Sequence, residues 1–461
     1  MTPHRSLWLG QALDDEPPSA PLSEATTADV CIVGGGFVGL WTAHWIKQLR
    51  PDSDVVVLDR DICGGGASGR NGGFVLSWWA KFPSLRKLVP DDVALAICRE
   101  SERAIDEIEA FCEQHGEDAE VVRGGWLWTT RTQAGMGAWD DTVERCAAVN
   151  PTAFVAVPPQ EVAARTGSAA HLAGTFDRSG ATIQPALLAR GLRRACLAAG
   201  VRIYEGTLVR KFTRAAPTIV TTTDGSVQAA KLVIATNAWS ASIPELRRHI
   251  VAISSDVVAT ERMPDELERI GWTGGEAITD SQQMVDYYRT TNDGRIVFGK
   301  GGWGIAMGGR IPASFDRNEP RSREVEADLR DAYPQLAQVP VVADWSGPID
   351  RSTDGLPLLG ELGGHANLLY GVGWSGNGVG PSVAGGKCLA RRALGIDDDT
   401  ALSALWNRES ATFPPDPIRY AGAHLVREAV RRKERAERVG RSPNRLAVKL
   451  SQLVPAGLED H

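Results

Sequence analysis

The chain reads as an α/β protein, a doubly wound, mostly parallel domain carrying an inserted, mainly antiparallel β (α+β) domain. Three observations predict this. Residues 29–61 run as strand, glycine turn, helix and second strand. A strong helical stretch at 185–199 is followed by strand-like runs at 201–204 and 231–235 that return to the same sheet. Between them and the C-terminal part, runs at 284–289 and 295–299 flank the hairpin turn Asn292-Asp293-Gly294.

The first unit is the most specific. Val30, Ile32 and Val33 lead into Gly34-Gly35-Gly36-Phe37-Val38-Gly39, a G-x-G-x-x-G between a strand and a helix. In this motif the first glycine permits the tight turn, the second lets the backbone approach a pyrophosphate, and the third lets helix and strand pack closely. The helix then aims its free N–H groups and positive dipole end at the phosphates. Asp59 ends the second strand, about 20 residues past the last glycine, where the fingerprint places an acid for the ribose hydroxyls. The unit predicts a bound dinucleotide.

Later elements follow in order. Residues 64–73 form a glycine-rich loop, and 91–115 carry apolar residues at helical spacing. Residues 124–130 alternate as a strand, and 382–394 form a helix behind a second glycine loop. The expected division is 1–85, 180–245 and 341–461 for the dinucleotide-binding domain, with 86–179 and 246–340 inserted.

Composition narrows the class. With 461 residues, 43% hydrophobic and 23% charged, the chain can bury a sizeable core. A net charge of -7 argues against a generic nucleic-acid binder. The seven cysteines are scattered, odd in number and without CxxC, which reads as reduced thiols in a cytoplasmic protein and neither a disulfide framework nor a metal site. No signal-peptide core and no apolar run of spanning length occur, so no transmembrane segment is expected.

Residues 371–380, Gly-Val-Gly-Trp-Ser-Gly-Asn-Gly-Val-Gly, again match G-x-G-x-x-G between strand and helix. No second strand with a terminal acid follows, so this helix N-terminus is expected to face one end of the same cofactor, where its dipole favours negative charge on a reduced flavin. In the 64–73 loop, Ser68, Arg70 and Asn71 offer donors to a pyrophosphate or ring.

Taken together, the first unit, the ASGRNGG loop at 67–73, Ala235-Thr236-Asn237-Ala238-Trp239-Ser240, Asp286-Tyr287-Tyr288-Arg289, Asp293 to Gly299, Asp354 to Gly360 and the 371–380 loop resemble the D-amino-acid oxidase / glycine oxidase superfamily, most closely its γ-glutamylputrescine oxidoreductase branch. The resemblance implies a Rossmann-type FAD-binding domain, an inserted substrate-binding domain, and oxidation of the C–N bond of an amine or amino acid by hydride transfer to flavin N5. The imine then hydrolyses. It also implies FAD contacts at Gly34, Gly36, Phe37, Val38, Gly39, Asp59, Arg60, Ala67, Ser68, Arg70, Asn71, Gly72, Val209, Ala235, Trp239, Gly373, Ser375, Gly376, Gly378 and Val379. The position of a covalent flavin thiol falls near 348–351, which holds no cysteine, so FAD is expected to be noncovalent. An oxygen-activating lysine of the sarcosine oxidases corresponds to Val297, with Lys300 three residues on and expected to point elsewhere; O2 or another carrier remains open as electron acceptor.

A protonated amine of pKa about 10 must lose its proton before giving up hydride, at roughly 4 kcal/mol near pH 7. An aromatic, poorly solvated pocket reduces that cost. Tyr288, Trp303, Trp345 and Trp374, with Trp126 and Trp128, are candidate walls, and Arg289 is the candidate partner for a substrate carboxylate. No single catalytic acid or base stands out. The arginine-rich tail at 427–449, interspersed with Glu428, Glu434 and Glu437, is expected as a solvated helix along the FAD domain. The competing readings are an NAD(P)H-dependent flavin monooxygenase and a noncatalytic flavoprotein subunit; oligomeric state is not legible.

Overall fold

A computed structural model of the chain describes residues 4–13 and 16–455. The dinucleotide motif sits in a sheet whose strands run Leu358–Glu361, Leu368–Val372, Ser226–Ile234, Ala25–Val33, Val55–Leu58 and Arg202–Tyr204 in spatial order. Along this order all neighbours are parallel except the first pair, and Thr218–Thr221 and Lys211–Phe212 add an antiparallel extension beside Ser226–Ile234. The central strands are apolar at successive positions because both faces are covered. Val30, Ile32, Val55 and Val57 point into one core, and Cys31, Val56 and Leu58 into another. Helices Phe37–Leu49 and Pro381–Leu394 pack against each other, and Pro185–Ala198 packs beside the first. This is a Rossmann-type fold.

The second sheet has the order Val341–Ser352, Ile250–Thr260, Ile296–Ile305, Asp286–Thr290, Ala277–Asp280, Trp126–Thr130, Ala173–Asp177 and Val155–Val157. It is antiparallel apart from the pairing of Ala277–Asp280 with Trp126–Thr130.

Two sequence expectations need correction, and a third is refined. Val341–Ser352, placed by sequence with the dinucleotide-binding domain, is an edge of the antiparallel sheet, paired with Ile250–Thr260 along its length. The helical stretch at 91–115 is present as two helices, Asp91–Glu102 and Ala104–His115, with Arg103 between them. The tail helix Ile418–Arg438, expected along the dinucleotide-binding domain, packs on the inserted sheet at Ile296–Ile305. Its partners there are acidic: Arg438 pairs with Asp328 at 2.5 Å and Arg431 with Glu324 at 3.3 Å.

The turn after Asp59 is fixed by a buried charge network. The Glu205 carboxylate accepts the backbone N–H of Cys63 and of Ser19, each at 2.6 Å, and pairs with Arg190 at 3.0 Å and Arg193 at 3.1 Å. Burial works against its charge, but these N–H groups and the two guanidiniums outweigh it and hold the carboxyl below its ordinary pKa. Removing one partner from a buried network strands the other charges without compensation. Glu205→Ala should therefore destabilise the protein by about 3–5 kcal/mol in urea unfolding. A loss below about 1 kcal/mol, the range of an exposed pair, would contradict this assignment.

Candidate active site

The G-x-G-x-x-G turn folds as its sequence requires. A side chain at Gly34, where φ is +113°, would collide with the Ala235 carbonyl, and one at Gly39 would collide with the Gly34 carbonyl. Gly36 caps the Phe37–Leu49 helix without a side-chain bond of its own, and Ser68 Oγ takes the Phe37 N–H at 2.9 Å. Asp59 accepts the N–H of Gly35 at 2.7 Å and of Asp61 at 2.8 Å. Burial, with the nearby Asp61 and Glu205 charges, outweighs those two bonds and pushes its carboxyl up to about 6.

These residues open into one cavity of about 650 Å³ that reaches both sheets. Asp59, Arg60 and the 207–212 segment, including Val209, line it. So do Gly34, Gly36, Phe37, Val38, Ala67, Ser68 and Ala235, and Asn71, Gly72, Trp374, Ser375, Gly376, Gly378 and Val379 also lie on its wall. The Arg60 guanidinium stacks 4.4 Å over the Trp239 ring. Trp239 lines the cavity, and its buried Nε1–H has no protein partner. A buried donor left open on a cavity wall, beside a helix N-terminus, suits a polar cofactor.

Two expected contacts stand behind this wall. Gly39 lies within the helix, and Gly373 donates its N–H to Asp350 at 2.6 Å. Arg70 reaches the cavity, but its donors go to protein: Nε to the Gly65 carbonyl at 2.9 Å, and Nη1 and Nη2 to those of Ser346 at 3.0 Å and His4 at 2.6 Å. Asn71 likewise serves the loop, donating to the carbonyls of Ala67 and Ser68 and accepting from Gly73 N–H.

The inserted sheet supplies the opposite wall with Ile253, Ser255, Gln282, Gln283, Val285 and Tyr287. Side chains alternate along a strand, so Tyr287 faces the cavity and Tyr288 cannot. Tyr287 Oη lies 2.7 Å from Ser255 Oγ. Tyr288 is buried on the other face, stacked on Phe298 and bonded to His171 at 2.5 Å. Arg289, the expected carboxylate partner, is fully buried, donates to the Ile183 carbonyl at 2.8 Å and lies over the Trp8 ring. Trp345 is buried too, because its Nε1–H holds the Arg70 carbonyl at 2.8 Å. Trp126 and Trp128 stack in the core. Trp303 lies on the strand Ile296–Ile305, and its side chain is outside the described residues. Val297 is buried behind the wall beside Trp8 and Trp345, and Lys300 points to the far face, paired with Asp286 at 2.6 Å and Asp328 at 3.1 Å.

Sequence reasoning missed Tyr287 as a wall residue and Asp350 altogether. Strand alternation could have separated Tyr287 from Tyr288; Asp350 belongs to no motif. It lies on the cavity wall, and its carboxylate also accepts Trp374 N–H at 3.1 Å. Strand Val341–Ser352 thereby fastens the second glycine loop.

Burial pushes the Asp350 carboxyl up to about 7, against the backbone N–H groups that favour its charge. The folded protein thus binds this proton more tightly than the unfolded chain, whose carboxyl titrates near about 4. Its contribution to stability is fully present below about pH 4 and lost as pH rises through about 7. The melting temperature of the wild type should fall relative to that of Asp350→Asn between pH 5 and pH 8, followed by thermal denaturation. Parallel curves would contradict it.

A family model described as DAO, FAD dependent oxidoreductase, matches residues 29–392. Over 417 residues the chain is 27% identical to γ-glutamylputrescine oxidoreductase of Escherichia coli, covering 90% of this chain and 94% of that protein. It is 26% identical over 376 residues to a glycine oxidase of Pseudomonas aeruginosa, covering 78% and 93%. Among solved structures, glycine oxidase from Geobacillus kaustophilus superposes with a TM-score of 0.67 at 20% identity, covering 84% of this chain and 99% of that one. L-Proline dehydrogenase from P. horikoshii does so at 0.66 and 19%, covering 83% and 96%. With the glycine turn, the acid-tipped strand and the shared cavity in place over the matched span, the chain belongs to the DAO family of FAD-dependent oxidoreductases.

Proposed function

We propose that the protein oxidises the C–N bond of an amine or amino acid, with noncovalent FAD lying along the cavity from Asp59 to the Tyr287 wall. The observation that carries this reading is the continuity of the cavity. The dinucleotide turn and a wall from the second sheet share one space, so a substrate on that wall meets the cofactor within a single cavity. γ-Glutamylputrescine and glycine, named in the relatives' activities, both carry such a bond.

The residues present fit the cofactor. Asp59 would hold the ribose hydroxyls, the Phe37–Leu49 helix N-terminus and Ser68 the pyrophosphate, and the 374–379 loop the far end. No cysteine lines the cavity among the described residues, which supports noncovalent binding. When bound, FAD would supply a two-electron acceptor, taking up a hydride from the substrate carbon at N5; the resulting imine would take up water to release a carbonyl product and an amine or ammonia. The protein's part is to bind, orient and dehydrate. Ile253, Val285 and the Tyr287 ring replace water around the amine and disfavour its cation, lowering the deprotonation cost. Ser255 fixes the orientation of the Tyr287 hydroxyl.

Two measurements test this. In anaerobic absorbance scans, one class among polyamines, γ-glutamyl amines, N-methyl amino acids and D-amino acids should bleach the flavin, while NADPH should not. Bleaching by NADPH alone would favour a monooxygenase. Asp59→Ala should weaken FAD binding about 10- to 100-fold in titrations of the apoprotein, as expected for loss of a charged hydrogen-bond acceptor. An unchanged affinity would remove Asp59 from the site.

A further inference from the structure

The family match ends at residue 392, yet the chain beyond it reaches the cavity wall from behind. Gln282, Gln283 and Val285 lie in the short turn between strands Ala277–Asp280 and Asp286–Thr290, and all three line the cavity. The opposite side of that turn rests on the tail helices Ile418–Arg438 and Arg445–Ser451. Glu434, 7% exposed, accepts the Met284 N–H at 2.9 Å. Gln283 Nε2 donates to the Ser451 carbonyl at 3.0 Å, and Arg438 donates to Gln282 Oε1 at 3.4 Å. Met284 and Val430 form a small apolar cluster of their own, with Val454 packed against it.

The ends of the turn are held by the sheet itself, with Ser281 Oγ donating to the Thr129 carbonyl, Gln282 N–H to Asp280 and Gly301 N–H to the Val285 carbonyl, which leaves Gln283 and Met284 at its middle to be held from the tail side. Here its main-chain N–H at Met284 has one buried acceptor, and that acceptor belongs to the tail. Beneath it, the buried groups Lys300, Asp286 and Asp328 and the half-buried Arg438 form an ionic cluster that joins the same helix to strands Asp286–Thr290 and Ile296–Ile305. The arginine-rich tail is thus a structural back to the substrate-side wall.

We propose that the C-terminal segment is part of the substrate site, with Glu434 a positioning residue that sets the Gln282–Val285 turn for amine binding. This rests on the reading above, in which that wall faces the substrate. Removing the carboxylate leaves the Met284 N–H buried without a partner, so the turn shifts while the FAD-facing loops, held by Arg70 and Asp350, stay in place.

The test compares wild type, Glu434→Ala and Glu434→Gln as full-length holoenzymes, in anaerobic flavin reduction by the amine that bleaches the wild type. A change confined to substrate binding raises the apparent Kd and leaves the limiting rate. We expect Glu434→Ala to raise the apparent Kd for the amine about 10-fold, with the limiting reduction rate within about twofold and FAD content unchanged. Glu434→Gln, which keeps an oxygen for Met284 N–H, should restore most of the affinity. If Glu434→Ala yields no folded holoenzyme, Val430→Ala, which loosens the packing on Met284, is measured with the same expectation on a smaller scale. An unchanged Kd overturns the proposal, and so does a loss of FAD in step with the loss of affinity. A wild-type flavin that no amine reduces is the failure of the oxidoreductase reading itself, seen before any variant is made, and it overturns this proposal with it.

Discussion

One buried guanidinium ties the first glycine loop to the inserted sheet. Arg70 binds the carbonyls of Gly65 in its own loop, Ser346 in the inserted sheet and His4 in the N-terminal segment. Burial lowers its pKa, and the fixed fork of donors, matched to carbonyls from three directions, offsets the loss of water. The glycine loop at 64–73 could be a loose surface connection on composition alone. Tied in this way it becomes a rigid floor, and Trp345 adds a bond in the reverse direction by donating to the Arg70 carbonyl.

The strand Val341–Ser352 extends the same logic. Its pairing with Ile250–Thr260 makes it an edge of the antiparallel sheet, while its far end carries Asp350 into contact with the second glycine loop. A single strand therefore relates both glycine loops to the substrate-side wall. The charged network around Glu205 does a similar task for the turn after Asp59, from a separate part of the chain.

Local signals were legible where chemistry is local. The spacing of the glycine turn, its strands and the acid at 59 is set within about 30 residues, so a sequence displays it, although the turn also packs on the distant Ala235 carbonyl. The substrate side depends on long-range pairing and on strand parity. Tyr287 and Tyr288 are adjacent and chemically alike, so only the register of the sheet decides which one meets the cavity. Arg289 had the right chemistry for a carboxylate partner, but burial against Trp8 and Ile183 turns it into a structural donor. Asp350 lacked any motif because its partners, Gly373 and Trp374, lie more than 20 residues away and were read for the cofactor loop and the substrate pocket, not for a carboxylate behind them. The tail's charge pattern revealed its helix but not the acidic surface, Glu324 and Asp328, that receives it.

The cavity is built from segments near residues 34–38, 59–72, 207–214, 235–239, 282–287, 347–351 and 374–379. Each comes from a separate stretch of chain, and no contiguous fragment contains them all. A dinucleotide held by these segments acts as a reversible cross-link, closing loops of many tens to hundreds of residues at once. Cofactor occupancy then reports on the integrity of the whole chain, and a break almost anywhere between the first segment and the last removes one of its anchors.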